Sequence, residues 1–125
     1  MHTKPRILMT EDDELQKELM GILLDAGHYA FDAVNNGREA ISAIENAPFD
    51  LIILDLLMPE MGGIEFLHWL RDEYKSEIPV LVLTSLSSYK VRQEALDAGA
   101  NVVLGKPFSV NTFVDEVETL LKKCR

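Results

Sequence analysis

Short apolar runs, each too brief for a helix, alternate along this chain with longer stretches whose apolar residues recur at helical spacing. That alternation is the pattern of β-α-β units wound around a parallel sheet, and it excludes all-helical and all-strand architectures. The runs are Ile7 to Met9, Tyr29 to Val34, Leu51 to Leu54, Val80 to Leu83 and Val102 to Leu104. The third and fourth are apolar at every position, which predicts central strands covered by helices on both faces. With 125 residues, 47% of them hydrophobic, the chain supports one core, and a single domain spanning 1–125 with no output domain is expected.

The first helix is expected after Asp12 and Asp13, with Leu15, Leu19, Ile22, Leu23 and Ala26 on its inward stripe and a stop at Gly27. A second begins near Asn36-Gly37, turns Ala40, Ile41 and Ile44 inward, and breaks at Ala47-Pro48. A third runs from about Gly63 to Tyr74, and a fourth lies between Ser88 and Ala98 with Gly99 at its end. The fifth sets Val110, Phe113, Val114, Val117, Leu120 and Leu121 on one face and ends in Lys122, Lys123 and Arg125, which suit the negative end of a helix dipole.

Charge narrows the function. Twelve basic against 21 acidic side chains give a net −9, so neither DNA nor an anionic membrane is an expected partner. The single cysteine, Cys124, cannot close an internal disulfide, and no apolar run reaches the roughly 20 residues that span a bilayer; a cytoplasmic protein is expected.

A doubly wound sheet places its ligand site at the carboxyl ends of the strands. Here those ends carry Glu11-Asp12-Asp13, Asp55, Thr84-Ser85 and Gly105-Lys106-Pro107. Carboxylates converging on one rim repel one another unless a cation sits among them, and hard oxygen donors suit Mg²⁺ or Mn²⁺. Beside such an ion, Asp55 is placed to act as a nucleophile toward phosphorus, Lys106 supplies a point positive charge, and the Thr84 hydroxyl offers a hydrogen bond to a phosphoryl oxygen.

The series E-D-D after strand one, D-L-L-M-P after strand three, T-S after strand four and K-P-F after strand five resembles the response-regulator receiver family of two-component signalling, over the whole chain. Each motif alone is weak; all of them in order at consecutive strand ends is specific. The resemblance implies a flavodoxin-like α/β fold, five parallel strands in order 2-1-3-4-5 with five helices. It also implies a metal held by Glu11, Asp12 as the direct ligand, Asp55 and the backbone carbonyl of Leu57. Asp55 becomes the phosphoacceptor, Thr84 the switch hydroxyl and Lys106 the lysine that contacts first the acceptor and then the phosphoryl group, with a cis bond to Pro107. Met58-Pro59 and Gly62-Gly63 match the loop after the acceptor. The partners implied are a sensor histidine kinase or a histidine phosphotransfer protein, an output domain or effector, and a second copy meeting the first through helix four, strand five and helix five. The chemistry implied is phosphotransfer and self-dephosphorylation rather than turnover of a substrate.

Two positions depart from the family. Val103, three before Lys106, stands where the family usually has Tyr or Phe, so an aromatic rotamer switch is not expected, and Glu11 stands where Asp is commoner. Leu57 and Leu86, two beyond Asp55 and Thr84, are apolar where a hydrolytic water would pass, which implies slow loss of the phosphoryl group.

Plainer readings exist for each residue. Glu11-Asp12-Asp13 also suits a helix cap, to which Asp13 and Glu14 are assigned. Lys106 before Pro suits a solvated loop, and Thr84-Ser85 suits loop satisfaction. His2, His28 and His68 show no metal-ligand spacing and are expected at the surface, while Trp69 and Tyr74 are expected to pack or to stand half-exposed and Phe108 to pack. The rival functions are a docking module without phosphotransfer and a small Mg²⁺-dependent aspartyl phosphatase, which would need a cap segment that the sequence does not supply. A flavin carrier is disfavoured by the acidic loop after strand one.

Overall fold

The structure, a computed structural model, describes residues 4–58, 61–86 and 88–123, the last without its side chain; His2, Pro59, Cys124 and Arg125 lie outside them. Five strands, β1 (Arg6–Thr10), β2 (Ala30–Val34), β3 (Leu51–Asp55), β4 (Val80–Thr84) and β5 (Val102–Gly105), form one parallel sheet in the order β2-β1-β3-β4-β5. Five helices connect and flank them: α1 (Glu14–Ala26), α2 (Gly37–Asn46), α3 (Gly63–His68), α4 (Tyr89–Ala98) and α5 (Val110–Lys123). The predicted class, strand order and helix count are those observed.

Every residue of β3 and β4 is buried, as their unbroken apolar character requires. The sheet divides the core into two layers. Leu8, Ile52, Leu54, Val80 and Val82 face α2, α3 and α4 through Ala40, Ile44, Phe66, Leu67 and Ala95. Ile7, Met9, Ile53, Leu81 and Leu83 face α1 and α5 through Met20, Leu24, Phe113 and Val117.

Register puts the chemistry on one edge. Thr10 pairs with Leu54, Asp55 with Leu83 and Thr84 with Gly105, so the residues just past these positions share the rim.

Three expectations need correction. On α1 the buried residues are Met20, Gly21 and Leu24, whereas Leu15 is 79% exposed and Leu19, Ile22 and Ala26 also face solvent. Apolar side chains cover more than half of this helix's circumference, so periodicity offered two stripes; the one containing Gly21 wins because the glycine lets the Phe31 ring approach to 3.0 Å of where a Cβ would stand. On α5 Val110 is exposed, since it opens the first turn at the rim. The third helix is α-helical only to His68 and continues as a π-helical turn from Trp69 to Glu73.

The α1 reassignment is testable. Leu24→Ala is expected to cost about 2–5 kcal/mol in urea unfolding, whereas Ile22→Asn should stay within about 0.5 kcal/mol. Equal losses would restore the predicted stripe.

Candidate functional site

Each site residue is delivered by the end of a strand. Glu11 follows β1, and its amide donates to the Val34 carbonyl (3.0 Å), which ties the loop to β2. Asp13 caps α1 by accepting from the Gln16 amide (3.1 Å), as expected, and its own amide reaches Glu11 Oε2 at 3.3 Å. Glu14 is spent on Lys17, 3.1 Å away. The cap turn therefore orients Glu11 and leaves Asp12 exposed beside it.

Asp55 ends β3 and is 7% exposed. Its Oδ1 accepts the Leu57 amide at 3.1 Å, and Gly63 supports the same turn by donating to the Leu56 carbonyl at 3.1 Å. A side chain at Gly63 would meet Leu56 Cα at 2.8 Å and the Asp55 carbonyl at 2.9 Å, so glycine is needed for this close approach. Oxygens of Glu11, Asp12 and Asp55 all lie within 4.8 Å of one another.

Lys106 completes the group. Its backbone is fixed to β4 through a bond from its amide to the Thr84 carbonyl (2.8 Å), and the Lys106-Pro107 peptide is cis, as the family resemblance implied. Its Nζ donates to Glu11 Oε1 at 3.0 Å and to Asp55 Oδ2 at 3.2 Å. One ammonium thus bridges two buried carboxylates.

The electrostatics follow from that bridge. Burial raises the Glu11 carboxyl above its ordinary value, the hydrogen bond from Lys106 opposes the rise, and the neighbouring Asp55 charge adds to it. For Lys106, burial acts to lower the value, but the hydrogen bond to Glu11 and the charges of Asp55 and Glu11 outweigh it and leave the ammonium raised. The site holds more negative than positive charge and is built to attract a cation.

Thr84 is fully buried at the end of β4, and its hydroxyl accepts the Leu86 amide at 3.0 Å. Val103 is buried on β5 in the layer that faces α4, so the position offers no aromatic ring to the surface. Leu57 and Leu86 stand exposed at the mouth. His28 and His68 are at the surface, Trp69 stacks on a half-exposed Tyr74 (4.8 Å between centroids) and Phe108 on Phe113 (5.3 Å), all as expected.

Two features escaped the sequence reading. One is the outward apolar stripe of α1. The other is Arg71, whose guanidinium donates to the Gly99 carbonyl from Nε (3.1 Å) and Nη2 (2.8 Å) and to Ser76 from Nη1 (2.9 Å). A lone arginine near a helix end carries no signal for such a contact; only the fold shows it.

The family described as response regulator receiver domain matches residues 7–118. Response regulator MprA of Mycolicibacterium vanbaalenii is 34% identical over 118 residues, which cover 94% of this chain and 51% of that protein. The receiver domain of Francisella response regulator 1452 superposes with a TM-score of 0.92 at 28% identity, covering 98% of this chain and 100% of that one. The chemotaxis response regulator CheY4 of Vibrio cholerae gives a TM-score of 0.87 at 30% identity, over 94% of this chain and 99% of the other. The chain spans about half the length of the curated relatives it matches. A match across nearly the whole fold, with the acidic rim, Asp55, Thr84 and Lys106 at the ends of the strands, makes this chain a member of the response-regulator receiver domain family.

Proposed function

We propose that this domain accepts a phosphoryl group on Asp55 from a phosphohistidine of a sensor histidine kinase or a histidine phosphotransfer protein, or from a small acyl phosphate. The observation that carries the reading is the Lys106 ammonium held between Glu11 and Asp55, which poses a buried carboxylate beside a fixed positive charge. A carboxylate oxygen of Asp55 attacks phosphorus, the P–N bond of the donor breaks, and the imidazole leaves with its electron pair and is reprotonated. Lys106 and the Thr84 hydroxyl are the protein's donors toward the oxygens of the transferred group.

The donor set fits a hard divalent ion. Glu11, Asp12 and Asp55 present clustered carboxylate oxygens, with the Leu57 carbonyl as a fourth donor by family resemblance, and these would hold Mg²⁺ or Mn²⁺. A bound ion would supply neutralisation of the charge on the phosphoryl oxygens. Glu11, being buried and tied to Lys106, would act on the ion through its charge, while exposed Asp12 would be the direct ligand.

A protein donor is favoured by α1, whose outward Leu15, Leu19 and Ile22 begin beside the site and offer an apolar contact. We assign the domain a signalling role in the cytoplasm, as one receiver unit over 1–125 that passes its state to an output domain or effector, with pairing of copies through α4, β5 and α5 as one route. Among the described residues no helix is long and apolar enough to cross a membrane.

The test is incubation with acetyl phosphate and Mg²⁺, followed by intact mass and by borohydride reduction with peptide mapping. A single phosphoryl group mapped to residue 55 is expected. Label elsewhere, or continuous release of phosphate without a labelled protein, would defeat the reading, the second in favour of the phosphatase.

A further inference from the structure

β2 is an edge of the sheet, and only one side of its backbone is paired. The Ala30 amide donates to the Pro5 carbonyl and the Val34 carbonyl accepts the Glu11 amide, both at 3.0 Å, so Ala30, Asp32 and Val34 turn their polar groups toward β1. Backbone groups alternate in direction along a strand, which leaves the N–H and C=O groups of Phe31 and Ala33 directed away from the sheet. Among the described residues no strand lies there. Ala33 is exposed and Phe31 half-buried, so both can be reached by a sixth strand.

Beside that edge runs an open groove of about 580 Å³, with Phe31 and Ala33 on one side and α1 on the other. Gly21 keeps the helix wall back, since a Cβ there would stand 3.0 Å from Phe31 Cζ. Along the wall stand Glu14, Glu18 and Asp25, all exposed, on a different line of the helix from Leu15 and Leu19. The cation on this wall, Lys17, is already engaged: its ammonium donates to Glu14 Oε1 at 3.1 Å and to Asn35 Oδ1. Among the described residues Glu18 and Asp25 take part in no ion pair. Their carboxylates stand about 10 Å apart along the helix axis, within reach of basic side chains placed two or four residues apart on an added strand.

We propose that the β2 edge is a docking site for an extended basic segment of a partner protein, which adds as a sixth strand along Phe31 and Ala33 and sets alternate Lys or Arg side chains against Glu18 and Asp25. Backbone pairing supplies the attachment, and the acids select the charge. A second copy of this chain is the poorer occupant, because two-fold pairing of β2 would bring the same acidic walls together on two chains of net −9. The edge is independent of the chemistry at Asp55, and its test uses the unphosphorylated full chain.

The probe is a fluorescein-labelled heptapeptide of alternating lysine and valine, with glutamate in place of lysine as the control. Anisotropy should show saturable binding of the lysine peptide alone, and Glu18→Lys with Asp25→Lys should weaken it at least about fivefold. In residue-resolved hydrogen exchange of the free chain, the amides of Phe31 and Ala33 should exchange at least about tenfold faster than those of Asp32 and Val34, and saturating peptide should slow them at least about fivefold. Ala33→Pro removes an outward N–H, which an edge strand tolerates, and should abolish binding with every acid in place. If that variant does not fold, the protection of Phe31 and Ala33 in the wild type decides. Binding that leaves those two amides unslowed is adsorption of cations to acids and overturns the added strand. No binding of the lysine peptide, or a concentration-dependent dimer that protects the same amides without peptide, overturns the basic partner.

Discussion

Asp55→Asn is expected to take up no phosphoryl group from acetyl phosphate and Mg²⁺ while folding at least as firmly as the wild type, whereas Lys106→Met should lose both rate and stability. The asparagine keeps the shape of the side chain and the acceptor for the Leu57 amide, and it removes one of three clustered negative charges. What is lost is the nucleophile and the Oδ2 acceptor of Lys106, whose ammonium keeps its bond to Glu11. The methionine removes the ammonium that Glu11 and Asp55 share at 3.0 and 3.2 Å, leaving two buried carboxylates facing each other. Stranding a buried charge in this way costs about 3–5 kcal/mol, and since Lys106 keeps some solvent contact about 2–4 kcal/mol is expected in urea unfolding. Added Mg²⁺ should restore part of it, because a cation among the carboxylates replaces the missing charge. The labelling rate should fall by about a hundredfold, in line with loss of one preorganised donor to developing charge.

The pH dependence of the difference has a defined sign. The Lys106 ammonium titrates above its ordinary value of 10.5 in the folded state, so its stabilisation is complete below that value and is lost as pH rises through the higher one. Wild type and Lys106→Met should therefore converge in alkali. Labelling of Lys106→Met at the wild-type rate would remove the lysine from the chemistry.

How far the sequence could be read depended on whether a residue's surroundings are local. β3 and β4 were legible because strands covered on both faces have no polar side to confuse the pattern, and Asp55 and Thr84 stood out as the polar residues ending them. The rim followed from topology, since a parallel sheet brings every strand's carboxyl end to one edge. α1 was misread because the apolar side chains themselves do not tell Leu15, Leu19 and Ile22 from Met20 and Leu24; the choice is made by Phe31 on another strand, against Gly21. A glycine inside a helix was the available clue. Arg71 was invisible for the same reason, its partners Gly99 and Asn101 being brought to it only by the turn between α4 and β5. The bridging role of Lys106 was half legible. Its position named it as a charge near Asp55, but its bond to Glu11 depends on the Asp13 amide turning that longer acid inward.

The double variant Leu57→Asn, Leu86→Glu is expected to lose its phosphoryl group about tenfold to a hundredfold faster than the wild type, up to the low end of what a positioned proton acceptor contributes. Hydrolysis needs a water in line with the P–O bond to Asp55, held and relieved of a proton as it attacks. Leu57 and Leu86 are 51% and 45% exposed at the mouth of the site, so that path is bordered by side chains with neither donor nor acceptor. Their backbones are anchored to the chemistry itself, Leu57 by its amide to Asp55 Oδ1 (3.1 Å) and Leu86 by its amide to Thr84 Oγ1 (3.0 Å). Neither anchor uses the side chain, so the new groups should occupy the same two positions without reshaping the site, and stability should change by less than about 0.5 kcal/mol. Decay is followed by intact mass after donor is removed, with Mg²⁺ held constant. An unchanged half-life would show that the leucines do not govern access of water.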